Sequence, residues 1–106
     1  MAKRLYNVIL AERSDTMLLL HTEFLAQASP AAARRLISEF KKATKRLSEN
    51  PFQFPFADEI DAPGIVQGTY RKCFFYGRYK ALFLVDGNNV FVDAVIDCRQ
   101  ENANLF

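Results

Sequence analysis

The junction Ala28-Ser29-Pro30 constrains this chain more than any other feature of it. Serine is a favoured N-cap and proline a favoured first helical residue, so one helix stops and another starts with almost no spacer. Helices joined by so short a link must fold back on each other as an antiparallel pair. The first is predicted over Met17–Ala28, capped by Ser14 or Asp15. Met17, Leu18, Phe24, Leu25 and Ala28 form its apolar stripe, His21 fills the gap in that stripe, and Leu19 and Leu20 widen it. The second is predicted over Pro30–Glu49. Its inner stripe is Ala33, Leu36, Ile37, Phe40, Ala43 or Thr44, and Leu47, and Asn50-Pro51 ends it.

Ahead of the helices, Leu5–Leu10 is a short β-favouring apolar run and a predicted strand. Behind them, residues 52–64 follow neither the helical nor the strand period. They read as an ordered loop pinned by Phe52, Phe54 and Phe56, with Asp58, Glu59 and Asp61 in solvent, because a linker seldom carries three aromatics. Three β segments follow: Val66–Phe75, Tyr79–Val85 and Val90–Cys98. Tyr76-Gly77 and Asp86-Gly87-Asn88-Asn89 between them are hairpin signals. The order β-α-α-β-β-β predicts an α+β fold, a helical hairpin packed on an antiparallel sheet. With 106 residues, the whole chain is expected to be a single domain that buries roughly two-thirds of its unfolded surface.

Much chemistry is excluded by what the chain lacks. One histidine and two cysteines 25 residues apart, Cys73 and Cys98, form no zinc-ligand spacing. No nucleophile elbow, glycine-rich phosphate loop or dinucleotide fingerprint occurs. No cofactor and no metal are expected. No run reaches signal-peptide or membrane-span length, so the expectation is a cytoplasmic protein with reduced thiols and no membrane partner. His21 reads as an interior or interface imidazole rather than a general base, and both cysteines as buried and inert.

The net charge of +2 is too small to imply nucleic acid by itself. Two local patches stand out. Arg34, Arg35, Lys41, Lys42, Lys45 and Arg46 crowd the outer side of the second helix, a solvated face that has the charge to grip an acidic partner or phosphates. Between Asp61 and Asp86 there is no acid, while Arg71, Lys72, Arg78 and Lys80 alternate with Tyr70, Phe74, Phe75, Tyr76 and Tyr79. By strand alternation Arg71 shares a face with Cys73, and Arg78 with Lys80. Such a surface suits phosphate contact and base stacking. The residue types fit equally well a sheet in which Asp93 and Asp97 neutralise Arg99 and the tyrosines complete the core.

Taken together these segments resemble the RelE/ParE superfamily of toxins from type II toxin–antitoxin systems, proteins of the plasmid-stabilisation type. The resemblance is carried by the opening strand, Ser29-Pro30-Ala31-Ala32-Ala33-Arg34-Arg35-Leu36, and Leu47-Ser48-Glu49-Asn50-Pro51. It continues through Tyr70-Arg71-Lys72 to Tyr79-Lys80, and ends in Val95-Ile96-Asp97-Cys98-Arg99-Gln100. It implies a small growth inhibitor neutralised by a cognate antitoxin protein. ParE-like members poison DNA gyrase; RelE-like members cleave mRNA on the ribosome with a Lys/Arg cluster and a terminal tyrosine. Carried across, the cation sites fall on Arg71, Lys80 and Arg99. A second lysine site falls on Cys73 and the tyrosine near Leu105 or Phe106, so two functional groups are missing. The resemblance therefore favours ParE-like inhibition, with Arg71, Lys72, Arg78, Lys80 and Arg99 as target-binding residues. The alternatives are a RelE-like nuclease in which Arg71, Lys80 and Arg99 are catalytic, and a non-toxic antitoxin-binding module.

Overall fold

The computed structural model describes residues 5–99. It holds β1 (Asn7–Leu10), α1 (Glu12–Ala28), α2 (Pro30–Glu49), β2 (Arg71–Phe75), β3 (Tyr79–Asp86) and β4 (Asn89–Asp97), with one 3-10 turn at Pro51–Gln53. The predicted α+β order stands, and α2 has the predicted bounds. The Ser29 hydroxyl caps α2 by accepting from the Ala32 N–H at 3.1 Å, and Ala33, Leu36, Phe40, Ala43 and Leu47 are its buried stripe.

Other boundaries differ from expectation. α1 starts before its predicted cap, so Ser14 lies buried in the first turn and donates to the Ala11 carbonyl at 2.9 Å. β1 starts at Asn7 rather than Leu5, and β2 at Arg71 rather than Val66. Part of the missing length of β2 is spent in a turn closed by the Thr69 N–H on the Val66 carbonyl, 3.2 Å. β4 stops at Asp97, which leaves Cys98 exposed rather than buried, while Cys73 is buried as expected.

The sheet order is β1-β4-β3-β2. β2, β3 and β4 form the expected meander, but β1 joins β4 in parallel, so the sheet is mixed and not antiparallel throughout. A period-2 pattern reports which face a residue occupies and carries no strand direction, which is why the sequence misled here. The β3–β4 turn needs a left-handed residue at its first central position, and Gly87 supplies it with φ 60°. Where the register shifts beside Leu82 and Phe83, Asp93 is the extra residue of a bulge in β4.

β1 pairs only with Asn89–Val92, and α1 covers the edge of β4 beyond that point. The Ala11 N–H donates to the Val92 carbonyl at 2.9 Å, and His21 Nε2 lies 2.8 Å from the Val95 carbonyl. A carbonyl only accepts, so this nitrogen carries the proton. The half-buried imidazole matches the interior-or-interface reading of the stripe, and it does what a neighbouring strand would do.

Both faces of the sheet are covered. Leu18, Leu36, Phe40 and Leu47 from the helices bury Cys73, Phe75, Tyr79, Phe83, Val90, Val92 and Val95. On the other face the loop residues Ala57 and Ala62 bury Leu82, Ala94 and Ile96, with Met17, Ile65 and Tyr70 at the margin. The 52–64 loop is thus a layer of the fold. Of its three phenylalanines Phe54 is buried, while Phe52 and Phe56 are 53% and 49% exposed.

Candidate functional site

The loop is laid on the sheet by backbone bonds to the start of β2. The Lys72 N–H donates to the Pro55 carbonyl at 2.9 Å and the Ala57 N–H to the Tyr70 carbonyl at 2.8 Å, which pairs Phe56 with Arg71. This brings Asp61 under the sheet. Asp61 was expected in solvent; it is buried, with Lys72 Nζ 2.8 Å from Oδ2 and Lys80 Nζ 3.0 Å from Oδ1. The Asp58 N–H donates to the same Oδ2 at 2.8 Å. Burial by itself raises the Asp61 carboxyl, but Lys72, the Asp58 N–H and Lys80 outweigh it and hold it down to about 2.

A second aspartate organises the end of the sheet. Arg78 grips Asp97 with both prongs of its guanidinium, Nε to Oδ1 at 3.0 Å and Nη2 to Oδ2 at 2.7 Å. The Arg99 N–H donates to Oδ1 at 3.0 Å. Burial opposes the charge on Asp97, and Arg78 with the Arg99 amide lowers its carboxyl below the usual range. Asp97 therefore neutralises Arg78, whereas the alternative left open by the sequence had it neutralise Arg99. Asp93 accepts from the Tyr70 hydroxyl. Burial and that bond to a carboxylate push the Tyr70 phenol up to about 12.

The five predicted site residues do not form one cluster. Lys72 and Lys80 lie on the loop-covered face, drawn together by Asp61. Arg71 lies on the opposite face by strand alternation, at the margin of the helix-covered core, with Nη1 donating to the Phe54 carbonyl at 2.7 Å. Arg78 precedes β3 and turns to Asp97, so it does not share a face with Lys80. Arg99 follows β4 and is exposed. Of the second patch, Arg46 is engaged as well: Nη2 donates to the Phe74 carbonyl at 3.1 Å and caps the outer edge of β2. Leu19 and Leu20 of α1, 57% and 58% exposed, do not pack on the sheet.

Sequence reasoning missed Asp61 as the partner of two lysines, and Phe52 and Phe56 as the flanks of Arg71. The signal available was the acid-free stretch from Asp61 to Asp86, which leaves its lysines to find a carboxylate outside it. Leu105 and Phe106, where the family's tyrosine was expected, lie outside the described residues. Among the described residues no three His, Cys, Asp or Glu side chains gather as a metal site, and no helix is long and apolar enough to cross a membrane.

Beside Asp97, Tyr79 is fully buried between His21, 5.3 Å away ring to ring, and Phe75 at 5.8 Å. Burial raises its phenol, and among the described residues its hydroxyl has no hydrogen-bond partner. A buried hydroxyl without a partner adds nothing to stability, so Tyr79→Phe is expected to unfold in urea at the same or a higher midpoint, by up to about 1 kcal/mol. A loss of that size would mean the hydroxyl is bonded.

An α+β fold with a helix pair on one face of a four-stranded mixed sheet is the class this arrangement defines. The chain has a RelE/ParE-like fold: it is similar to a solved chain of the chromosomal ParDE TA system from P. aeruginosa, with a TM-score of 0.66 and 14% identity over 89% of this chain and 97% of that one. No family model matches the sequence, and no curated protein does.

Proposed function

We propose that this chain is the toxin of a type II toxin–antitoxin pair, a cytoplasmic growth inhibitor held in check by a cognate antitoxin, and that it acts by binding DNA gyrase as ParE-like toxins do. The fold likeness along nearly the full length of both chains supports the toxin reading. One observation favours binding over RNA cleavage. Cleavage needs several charged donors converging on one phosphate, preorganised where charge develops. Here Lys80 is spent on Asp61, and Arg71 stands on the opposite face of the sheet. The second lysine site of the nuclease pattern is Cys73, buried, its thiol raised by that burial.

Tightly controlled expression in bacteria, with pulse labelling of DNA and protein synthesis over the first minutes, tests this. DNA synthesis is expected to stop first. Protein synthesis stopping first would move the target to the ribosome and its mRNA. Unimpeded growth, with both syntheses continuing, would sink the toxin reading and leave an antitoxin-binding module.

A further inference from the structure

Phe56 stands opposite Arg71 in an isolated antiparallel bridge, which sets ring and guanidinium side by side. The guanidinium carbon of Arg71 lies 4.0 Å from the centre of the Phe56 ring and 5.4 Å from that of Phe52. With the Nη1 bond to the Phe54 carbonyl, two rings and an acceptor hold the fork of a side chain that is ordinarily mobile. Tyr6 packs edge-on to Phe52 at 5.9 Å and extends the apolar surface. Phe52 and Phe56 remain about half exposed. Among the described residues the Phe54 carbonyl is the one hydrogen-bond acceptor found for this guanidinium, so further N–H donors stand ready at the surface.

We infer that the Phe52–Arg71–Phe56 clamp is a docking point for a single carboxylate of a protein partner, an Asp or Glu flanked by apolar side chains. Charge complementarity selects the anion, and the two rings select its setting. An arginine fixed among exposed aromatics also has the composition of an interface hot spot. A nucleic-acid strand fits less well, because it needs a track of free cations along successive phosphates. The nearby cations are already committed: Lys72 and Lys80 to Asp61, Arg78 to Asp97 and Arg46 to the Phe74 carbonyl. One open guanidinium between two phenylalanines suits one carboxylate in an apolar segment. This inference stands on the clamp and does not require that the partner be an antitoxin.

The test titrates the full-length, isotope-labelled chain with three probes and reads the Arg71 Nε–H resonance. The probes are a blocked Ala-Leu-Glu-Phe-Ala peptide, its Gln counterpart and a short oligouridylate. The Glu peptide is expected to give a saturable shift, with the Gln peptide at least about tenfold weaker, the factor for losing a charge-assisted bond. Arg71→Lys, which keeps the charge but not the fork, is followed on the backbone amide resonances of Phe56 and Lys72, where the unaltered chain is expected to titrate in parallel, and is expected to remove that shift. Should that variant unfold, Phe56→Leu keeps an apolar side chain in the bridge while deleting the stack, and is expected to weaken the Glu peptide. Equal responses to the Glu and Gln peptides would overturn the carboxylate assignment. A response to oligouridylate alone would make this a nucleic-acid site, and silence toward all three would make the clamp purely structural. Pulse labelling is indifferent to these results, so this inference and the toxin reading fail separately.

Discussion

Asp61→Asn is expected to destabilise the protein by about 3 kcal/mol, read as a lower urea midpoint at neutral pH with an unchanged slope. The side chain of Lys80 is 11% exposed and that of Lys72 is 20% exposed, and both point at this one carboxylate. Removing it leaves two ammonium groups facing each other in a partly dry space, and such a charge costs far more than the pair contributes. Lys72→Ala is expected to cost much less, about 1 kcal/mol, because Lys80 and Asp61 still satisfy one another. A loss below about 0.5 kcal/mol for Asp61→Asn would mean that both lysines reach water in solution.

The same carboxylate sets an acid limb in the stability curve. Its carboxyl titrates at about 2 in the folded protein against the ordinary 3.8. The unfolded chain therefore takes up the proton first as pH falls. The stabilisation is complete above about pH 4 and is lost as pH drops towards 2, a change of about 2 kcal/mol. Asp61→Asn should flatten most of this limb. A part should survive, because Asp97 is also lowered and acts with the same sign.

Arg78→Ala is the second large effect, with an expected loss of about 3 kcal/mol by the same measurement. The asymmetry of the pair decides its size. Asp97 is 1% exposed, whereas the side chain of Arg78 is 15% exposed and starts from a turn. Without Arg78 the carboxylate stays buried, holding only the Arg99 N–H. Without the carboxylate, the guanidinium can swing towards water. Asp97→Asn is therefore expected to cost less than Arg78→Ala, and the double variant less than the sum of the two, the mark of a coupled pair. Strict additivity would show that Arg78 and Asp97 act independently.

Much of this architecture was legible in the residues. Ser29-Pro30 starts α2 and Asn50-Pro51 stops it through local sterics and capping bonds, and these need no distant partner. Gly87 with Asn88 sets the β3–β4 hairpin for the same reason. His21 could be placed on the packed side of α1 because its stripe is a local periodicity. The direction of β1, the burial of Asp61 and the exposure of Cys98 were not legible. Asp61 sits in a Pro- and Gly-containing acidic stretch that reads as solvated, and its lysines are 11 and 19 residues further along the chain. Cys98 continues the parity of the strand on paper, but β4 has already ended at Asp97.

The candidate site divides in the same way. Its cations and aromatics are visible as residue types in an acid-free stretch, and strand parity correctly puts Arg71 on the face of Cys73. Whether a cation is free, however, depends on which carboxylate the folded chain lays against it, and no periodicity encodes that. The sequence alone determined the helix pair, the hairpins and the list of charged residues, because short-range capping, turn and burial energies settle them. The tertiary structure decided that Lys72, Lys80 and Arg78 are internally neutralised and that Arg71 stands apart between two phenylalanines. Those outcomes depend on a loop folded under the sheet and on the sheet's own thickness between its two faces.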